Sequence, residues 1–439
     1  MRLSLSELAH AVEGRLVGPD RSVDGASFDS RETVPGQLFI PVIADRDGHD
    51  FVAAAVRQGA VAYLSSQGTI EDVHVSYIEV ADTAAAFIEI GKLARASLPD
   101  RVVGITGSVG KTSVKDLSDS AFRSHYRTKS NPKSLNNELG LPQTLCNAPD
   151  GTEAVIVEMG MRGLGEIARL CEVARPTVGV VTIIGEAHVG RLGGLAGVAQ
   201  AKGELVEALP ANGFAILNAN QDICMSLRTR TRASIISFGI GAGEVRATDI
   251  VLDELARPRF VLRTPWGHVE VKLALSGLHM AANAAAAAAA ALVCGVPLGA
   301  VLAGLGQASL SPWRMDVQRA ANGLIVMNDA YNANPTSMKA AIDALAALPA
   351  PGRRVAVLGV MAELGEDGPA RHLAMAEHAA SLGIEVVAIG TTDYGVAPHV
   401  DAAGWLTQLG EHDAVLFKGS RLAGLERLAA EVLACNNQV

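Results

Sequence analysis

Lys111 and Thr112 close a glycine-rich stretch, Gly104-Ile105-Thr106-Gly107-Ser108-Val109-Gly110-Lys111-Thr112-Ser113, with the composition of a phosphate cradle. It follows the apolar run Arg101-Val102-Val103 and opens into Val114-Lys115-Asp116-Leu117, so a strand, a turn and a helix N-terminus are expected in that order. Glycines let backbone N–H groups close on a polyphosphate, and Lys111 neutralises it. The Thr112 hydroxyl can ligate the accompanying Mg²⁺. Ile105 occupies the position of the first glycine in the full pattern, while the Gly107-x-x-Gly110-Lys111-Thr112 core is intact.

Other polar residues fall where apolar runs end, which is where parallel sheets collect ligands. Glu158 ends Ala154-Val155-Ile156-Val157, and an acid one strand from a phosphate loop suits a direct or outer Mg²⁺ ligand. His188 follows the run that begins at Val178 and suits a metal or phosphate contact. Lys202 lies in a helical pattern, where spacing by itself reads as a solvated lysine. Further on, Trp313-Arg314-Met315-Asp316 and Asn328-Asp329-Ala330-Tyr331-Asn332-Ala333-Asn334-Pro335 flank a strand, the second string being dense in hydrogen-bonding groups. Lys418-Gly419-Ser420-Arg421 is a cationic turn suited to a carboxylate or phosphate.

The elements that must hold these residues follow a βαβ rhythm, implying an α/β chain with parallel sheets covered on both faces. Strands are expected at 38–42, 61–64, 154–158, 178–183, 214–218, 324–327, 354–359, 385–390 and 414–417. Helices are expected at 49–59, 82–98, 164–173, 195–208 and 336–347, with alternating strands from about 257 to 274. Residues 280–300 read as one alanine-rich helix packed in a soluble core.

The bulk numbers bound the function. A chain of 439 residues divides into two to four domains, and 49% hydrophobic with 19% charged residues describes a globular protein. A net charge of −9 argues against coating nucleic acid, so no nucleic-acid partner is expected. Five scattered cysteines without a C-x-x-C pair suit a reducing compartment, and no membrane span is expected, which together point to the cytoplasm.

The phosphate loop resembles that of the Mur ligase family, ATP-dependent ligases of bacterial peptidoglycan precursor synthesis, and the resemblance runs through nearly the whole chain. It continues in Asn131-Pro132-Lys133-Ser134-Leu135-Asn136-Asn137-Glu138, Glu158-Met159-Gly160, Ala187-His188 and Ala201-Lys202-Gly203-Glu204. Gly277-Leu278-His279-Met280-Ala281-Ala282-Asn283, Asp329 to Met338 and Lys418 to Arg421 extend it, and Asp29-Ser30-Arg31 with Pro35-Gly36 resembles the family's N-terminal segment. The Asp329 to Met338 and Asn136-Asn137-Glu138 strings look like the branch that adds D-alanyl-D-alanine. Two local departures are Trp313, where a glycine is common before the arginine, and Pro132-Lys133-Ser134, which replaces a shorter run.

The resemblance implies three domains: 1–82 binding a UDP substrate, 83–312 a central P-loop ATPase, and 313–439 a C-terminal Rossmann-like domain. It implies that UDP-N-acetylmuramoyl-tripeptide is activated by ATP as an acyl phosphate and joined to D-alanyl-D-alanine, leaving ADP and phosphate. Gly107, Ser108, Gly110, Lys111, Thr112 and Ser113 would hold the nucleotide phosphates, with Arg314. Asn283, near His279, would meet the adenine and Asp329 the ribose, while Asn332 would lie near the phosphate or the transfer centre. Mg²⁺, at two sites, would fall to Thr112, Glu158, His188 and Lys202, the last as a carbamate. Ser30, Arg31, Asn136, Asn137, Lys418, Ser420 and Arg421 would contact substrate, and a monomer is implied.

The competing readings are a sister ligase adding another amino acid, a folylpolyglutamate-type synthetase, and an NTP-driven switch that hydrolyses without ligating. Asp29 to Phe39 disfavours the synthetase. The clusters at 329–335 and 418–421 are superfluous to a switch.

Overall fold

The computed structural model describes residues 2–132, 135–186, 189–362, 364–399, 402–406 and 408–437. Its strands gather into three larger sheets and one antiparallel pair, Arg2–Ser4 with Ser22–Asp24. The first larger sheet has the order 15–17, 76–79, 62–65, 38–39, 26–27, parallel apart from its first pair.

The second sheet holds nine strands in the order 267–272, 258–264, 245–252, 234–240, 214–218, 178–181, 102–106, 154–158, 128–130. Its strands from 245–252 to 128–130 are parallel neighbours, and the other two add an antiparallel edge. The alternating strands expected near 257–274 therefore extend this sheet, and Ser234–Ile240 and Val245–Leu252 join it to them. The strand Val102–Thr106 is buried throughout and lies between 154–158 and 178–181. The carboxyl ends of three neighbouring strands thus converge where the phosphate loop begins.

The third sheet has the order 316–319, 325–328, 414–418, 354–358, 385–388, with an antiparallel first pair and parallel neighbours beyond it. This puts the end of 325–328, and so Asp329, beside the end of 414–418, and so Lys418.

The alanine-rich segment is two helices, His279–Val293 and Leu298–Gly306. Pro297 cannot donate an N–H or continue the first helix, and Gly295, at φ 85°, turns the chain between them. The small side chains serve close packing: residues 284–291 are all alanine and fully buried against the helix Lys111–Arg123 and the sheet. Gly304 does the same job, since a Cβ there would sit 2.5 Å from the Ser120 carbonyl oxygen.

Candidate active site

The strand Val102–Thr106 delivers the chain into the loop, and Gly110 turns it into the helix Lys111–Arg123 at φ 88°, a left-handed value that suits glycine. A Cβ on Gly110 would also lie 3.0 Å from Asn283 Oδ1. The loop is braced on the neighbouring strand end: Ser108 N donates to the Ile183 carbonyl at 2.6 Å and Ser108 Oγ to the Gly185 carbonyl at 3.0 Å. Lys111 Nζ curls back onto the Gly107 carbonyl at 2.8 Å.

Glu158, 2% exposed, is the hub of the polar network. Thr112 Oγ1 donates to its Oε2 at 2.7 Å, and Asn136 Nδ2 donates to its Oε1 at 2.7 Å. Its own backbone N–H donates to Asn131 Oδ1 at 2.9 Å. Two carboxylate oxygens and a hydroxyl, all hard donors in one place, fit a Mg²⁺ ion that keeps its remaining ligands from phosphate and water.

Lys202 is 2% exposed and has no acidic partner among the described residues. Burial drives its pKa well below the usual lysine range, and the Lys111 charge pushes the same way. Burial also lowers Lys111, opposed by the attraction of Glu158 and reinforced by Arg314. Lys202 and Lys111 repel each other, and Glu158 attracts only Lys111, so Lys202 lacks a negative charge that a polyphosphate or an anion on Lys202 itself would supply.

The third sheet completes the cavity. Lys418, buried, pairs with Asp329 and donates to the Asn332 carbonyl at 3.0 Å. Asp329 Oδ1 accepts from Met315 N at 3.0 Å, which holds the segment carrying Arg314. The Arg314 guanidinium stacks on the Tyr331 ring at 4.2 Å. Burial lowers the His279 pKa; Asp329 pulls it up and Lys418 pushes it down.

One cavity of about 930 Å³ is lined by Ser108, Gly110, Lys111, Thr112, Ser113, Asn136, Asn137, Glu158, Lys202, His279, Asn283, Arg314, Asp329, Asn332 and Lys418. Most residues singled out from the sequence thus share it, although they come from two sheets and opposite halves of the chain. Gly107 braces Lys111 from just behind the lining. His188 lies outside the described residues. Ser30, Arg31, Ser420 and Arg421 stand apart from this lining. Arg31 pairs with Asp29 at 2.6 Å, Ser420 Oγ accepts from Ala362 N at 2.9 Å, and Arg421 pairs with Glu426 at 2.8 Å while stacking on Trp313.

Tyr331, Arg162 and Arg169 also line the cavity, and sequence reasoning gave them no role. Tyr331 sat inside a string already marked as a binding loop. Arg169 lies on the helix Glu166–Ala174 and Arg162 in the turn before it, and a single arginine in either place carries no signal, because only the neighbouring elements decide what it faces.

Residues 105–291 match the Mur ligase middle domain and 313–421 the Mur ligase glutamate ligase domain. The chain is 36% identical over 444 residues to the UDP-N-acetylmuramoyl-tripeptide–D-alanyl-D-alanine ligase of Escherichia coli, covering 97% of each. It superposes on the crystal structure of MurF from Acinetobacter baumannii with a TM-score of 0.89, at 30% identity and 99% coverage of both chains. It superposes on MurF ligase from Thermotoga maritima, in complex with ADP, with a TM-score of 0.79, at 25% identity and coverage of 95% of this chain and 98% of that one.

Proposed function

The chain belongs to the Mur ligase family, and from that membership we propose how its cavity performs the ligation. The protein is an ATP-dependent ligase of peptidoglycan precursor synthesis that joins D-alanyl-D-alanine to UDP-N-acetylmuramoyl-tripeptide, with ADP and phosphate as the other products.

In the first step a terminal carboxylate oxygen of the tripeptide attacks the γ-phosphorus. The bridging P–O bond breaks, and its electrons leave on ADP. In the second, the D-alanyl-D-alanine nitrogen, having lost its ammonium proton, bonds to the acyl carbon. The tetrahedral intermediate then expels phosphate. The first step opposes a carboxylate to a triphosphate and the second builds negative charge on a tetrahedral intermediate that must expel phosphate, so neutralisation and positioning are the enzyme's main task.

Lys111 and the amides of Gly107 to Ser113 take the β- and γ-phosphates. Thr112 and Glu158 would hold Mg²⁺, which supplies further neutralisation of the polyphosphate. Lys202, as a carbamate, would be an anionic oxygen ligand for a second ion, a role the family resemblance also gives His188. The carbamate is supported by a buried, acid-free amine whose neutral form is the one that reacts with carbon dioxide. Asn283 and His279 meet the adenine, Asp329 the ribose, and Arg314 the phosphates. Asn332 lies near the transfer centre, and Asn136 and Asn137 meet the peptide. Ser30 and Arg31 grip the UDP portion, while Lys418, Ser420 and Arg421 serve the incoming dipeptide. The ranges 1–82, 83–312 and 313–439 are taken as the three functional domains of one cytoplasmic monomer.

The observation that carries this reading is the meeting of the phosphate loop with Asp329, Asn332 and Lys418 in one cavity. Such an arrangement excludes water from an acyl phosphate once substrates fill it. The test is a phosphate-release assay with mass spectrometry. Release only when UDP-N-acetylmuramoyl-tripeptide and D-alanyl-D-alanine are both present, with pentapeptide formed, is expected. Dipeptide-independent release without pentapeptide would instead identify a nucleotide-driven switch.

A further inference from the structure

The strand Ala26–Ser27 ends the first sheet, and the side chain of Asn147, from the middle of the chain, closes its open side. Ala26 N donates to Asn147 Oδ1 at 3.2 Å, and Asn147 Nδ2 donates to the Ala26 carbonyl at 2.7 Å. The amide thus takes the place of a neighbouring strand's peptide and satisfies both backbone groups that an edge leaves open. Oδ1 also accepts from Gln37 Nε2 at 2.9 Å, and Nδ2 also donates to the Gln143 carbonyl at 2.8 Å, so both amide hydrogens and both acceptor positions are used. Gly25 makes room for this contact. Its φ is 85°, and a Cβ there would lie 2.1 Å from Asn147 Oδ1.

Asn147 stands at the C-terminal end of the helix Gly140–Cys146. At the other end Asn137, which lines the cavity, caps that helix, its Oδ1 accepting from Gly140 N at 2.9 Å. The helix is about 10 Å long and mostly buried. It is also tightly seated, since a Cβ on Gly91 of the helix Thr83–Ala96 would come 2.8 Å from Pro142 Cβ. Such close packing makes it a rigid spacer. On the strand side, Ser27 Oγ accepts from Asp29 N at 3.2 Å and donates to the Asp29 carbonyl at 2.9 Å, which hangs the turn bearing Ser30 and Arg31 from the same strand.

On the ligase reading above, on which this inference rests, the turn at Ser30 and Arg31 holds the UDP end of a substrate whose peptide end lies at Asn137. Two linked ends gain from each other's binding only when their sites keep the spacing of the linkage. We propose that Asn147 is a positioning residue that holds the UDP-binding sheet in register with the transfer centre. Asn147 itself stands outside the cavity lining, so it acts through the strand and the helix it joins.

Steady-state kinetics on the full chain, with free UDP as a competitive inhibitor, tests this. Asn147→Ala and the near-isosteric Asn147→Leu should each raise the KM for UDP-N-acetylmuramoyl-tripeptide by about tenfold, the scale of losing one or two hydrogen bonds. The inhibition constant of UDP, which needs the first sheet alone, should stay as in wild type, as should kcat and the KM for ATP. An unaltered KM for the UDP-tripeptide would overturn the proposal. So would a KM and a UDP inhibition constant that rise together, because Asn147 would then only support the fold of the UDP-binding sheet. A wild type that ligates nothing, or on which UDP does not compete, would instead bring down the reading on which the proposal rests.

Discussion

Ser311, in the segment that leads into the third sheet, is tied to Asp116, one turn beyond the phosphate-loop lysine: its N–H donates to Asp116 Oδ2 at 2.7 Å and its Oγ to Oδ1 at 3.2 Å. The same carboxylate pairs with the buried Lys115 at 2.7 Å, and Lys115 donates in turn to the Asn131 carbonyl at 3.2 Å. One acid therefore joins the helix behind the nucleotide loop, the segment leading to Glu158, and the chain that carries Arg314 into the cavity.

Asp116→Ala removes that joint and leaves Lys115 buried without a counter-charge. Stability should fall by about 3 kcal/mol, the usual cost of breaking a buried pair from one side. Asp116→Asn, which keeps an acceptor for Ser311, should fall by less. Urea denaturation of the two variants checks the order.

Lys111→Ala withdraws the cation that neutralises the transferring phosphate. Turnover should drop by at least about 10³-fold, on the scale of removing one preorganised charge from a reacting centre. A phosphate-release assay reads it, and circular dichroism should show an unaltered fold.

Lys202→Ala should likewise be inactive, but bicarbonate or a short carboxylic acid should restore part of the activity by placing a carboxylate in the space the side chain leaves. A fully active variant would end the carbamate assignment.

Lys202 also sets a pH dependence of stability. Its folded pKa lies well below the ordinary 10.5, so between the two values the unfolded chain binds more protons than the folded one. Stability of bicarbonate-free enzyme should therefore rise with pH through this window. Lys202→Met removes the titrating group, so its melting temperature should exceed wild type at neutral pH and vary less as the pH is raised. A melting temperature below wild type would contradict the account.

Asp329→Ala leaves Lys418 unpaired in the interior and should cost about 3 kcal/mol, whereas Asp329→Ala combined with Lys418→Met should regain much of it. Thermal melts of the single and double variants provide the cycle.

Local rules made much of the site legible in the chain. Gly107, Gly110 and Lys111 announce a phosphate loop because backbone closure on an anion demands glycine and a cation at fixed offsets, and Glu158 announced itself by ending a buried strand. The break of the alanine-rich segment at Pro297 was equally local, and the long apolar run on both sides hid it. Arg162, in the turn before the helix Glu166–Ala174, and Arg169, on that helix, left no trace, since an exposed arginine looks the same anywhere until neighbouring helices form a groove in front of it.

What the amino-acid order determined by itself was part of the strand set, the apolar runs at 102–106, 154–158, 178–181, 214–218, 325–328, 354–358, 385–388 and 414–418 among them, together with the nucleotide turn and, through motif resemblance, the class of reaction. What only the tertiary structure decided was which distant residues share a boundary: that Lys202 is buried, that Asp329 pairs with Lys418, and that Asp116 holds Ser311. Spacing along the chain controls local conformation through backbone geometry. Burial and charge pairing depend instead on strand order and helix packing, which bring together residues hundreds of positions apart.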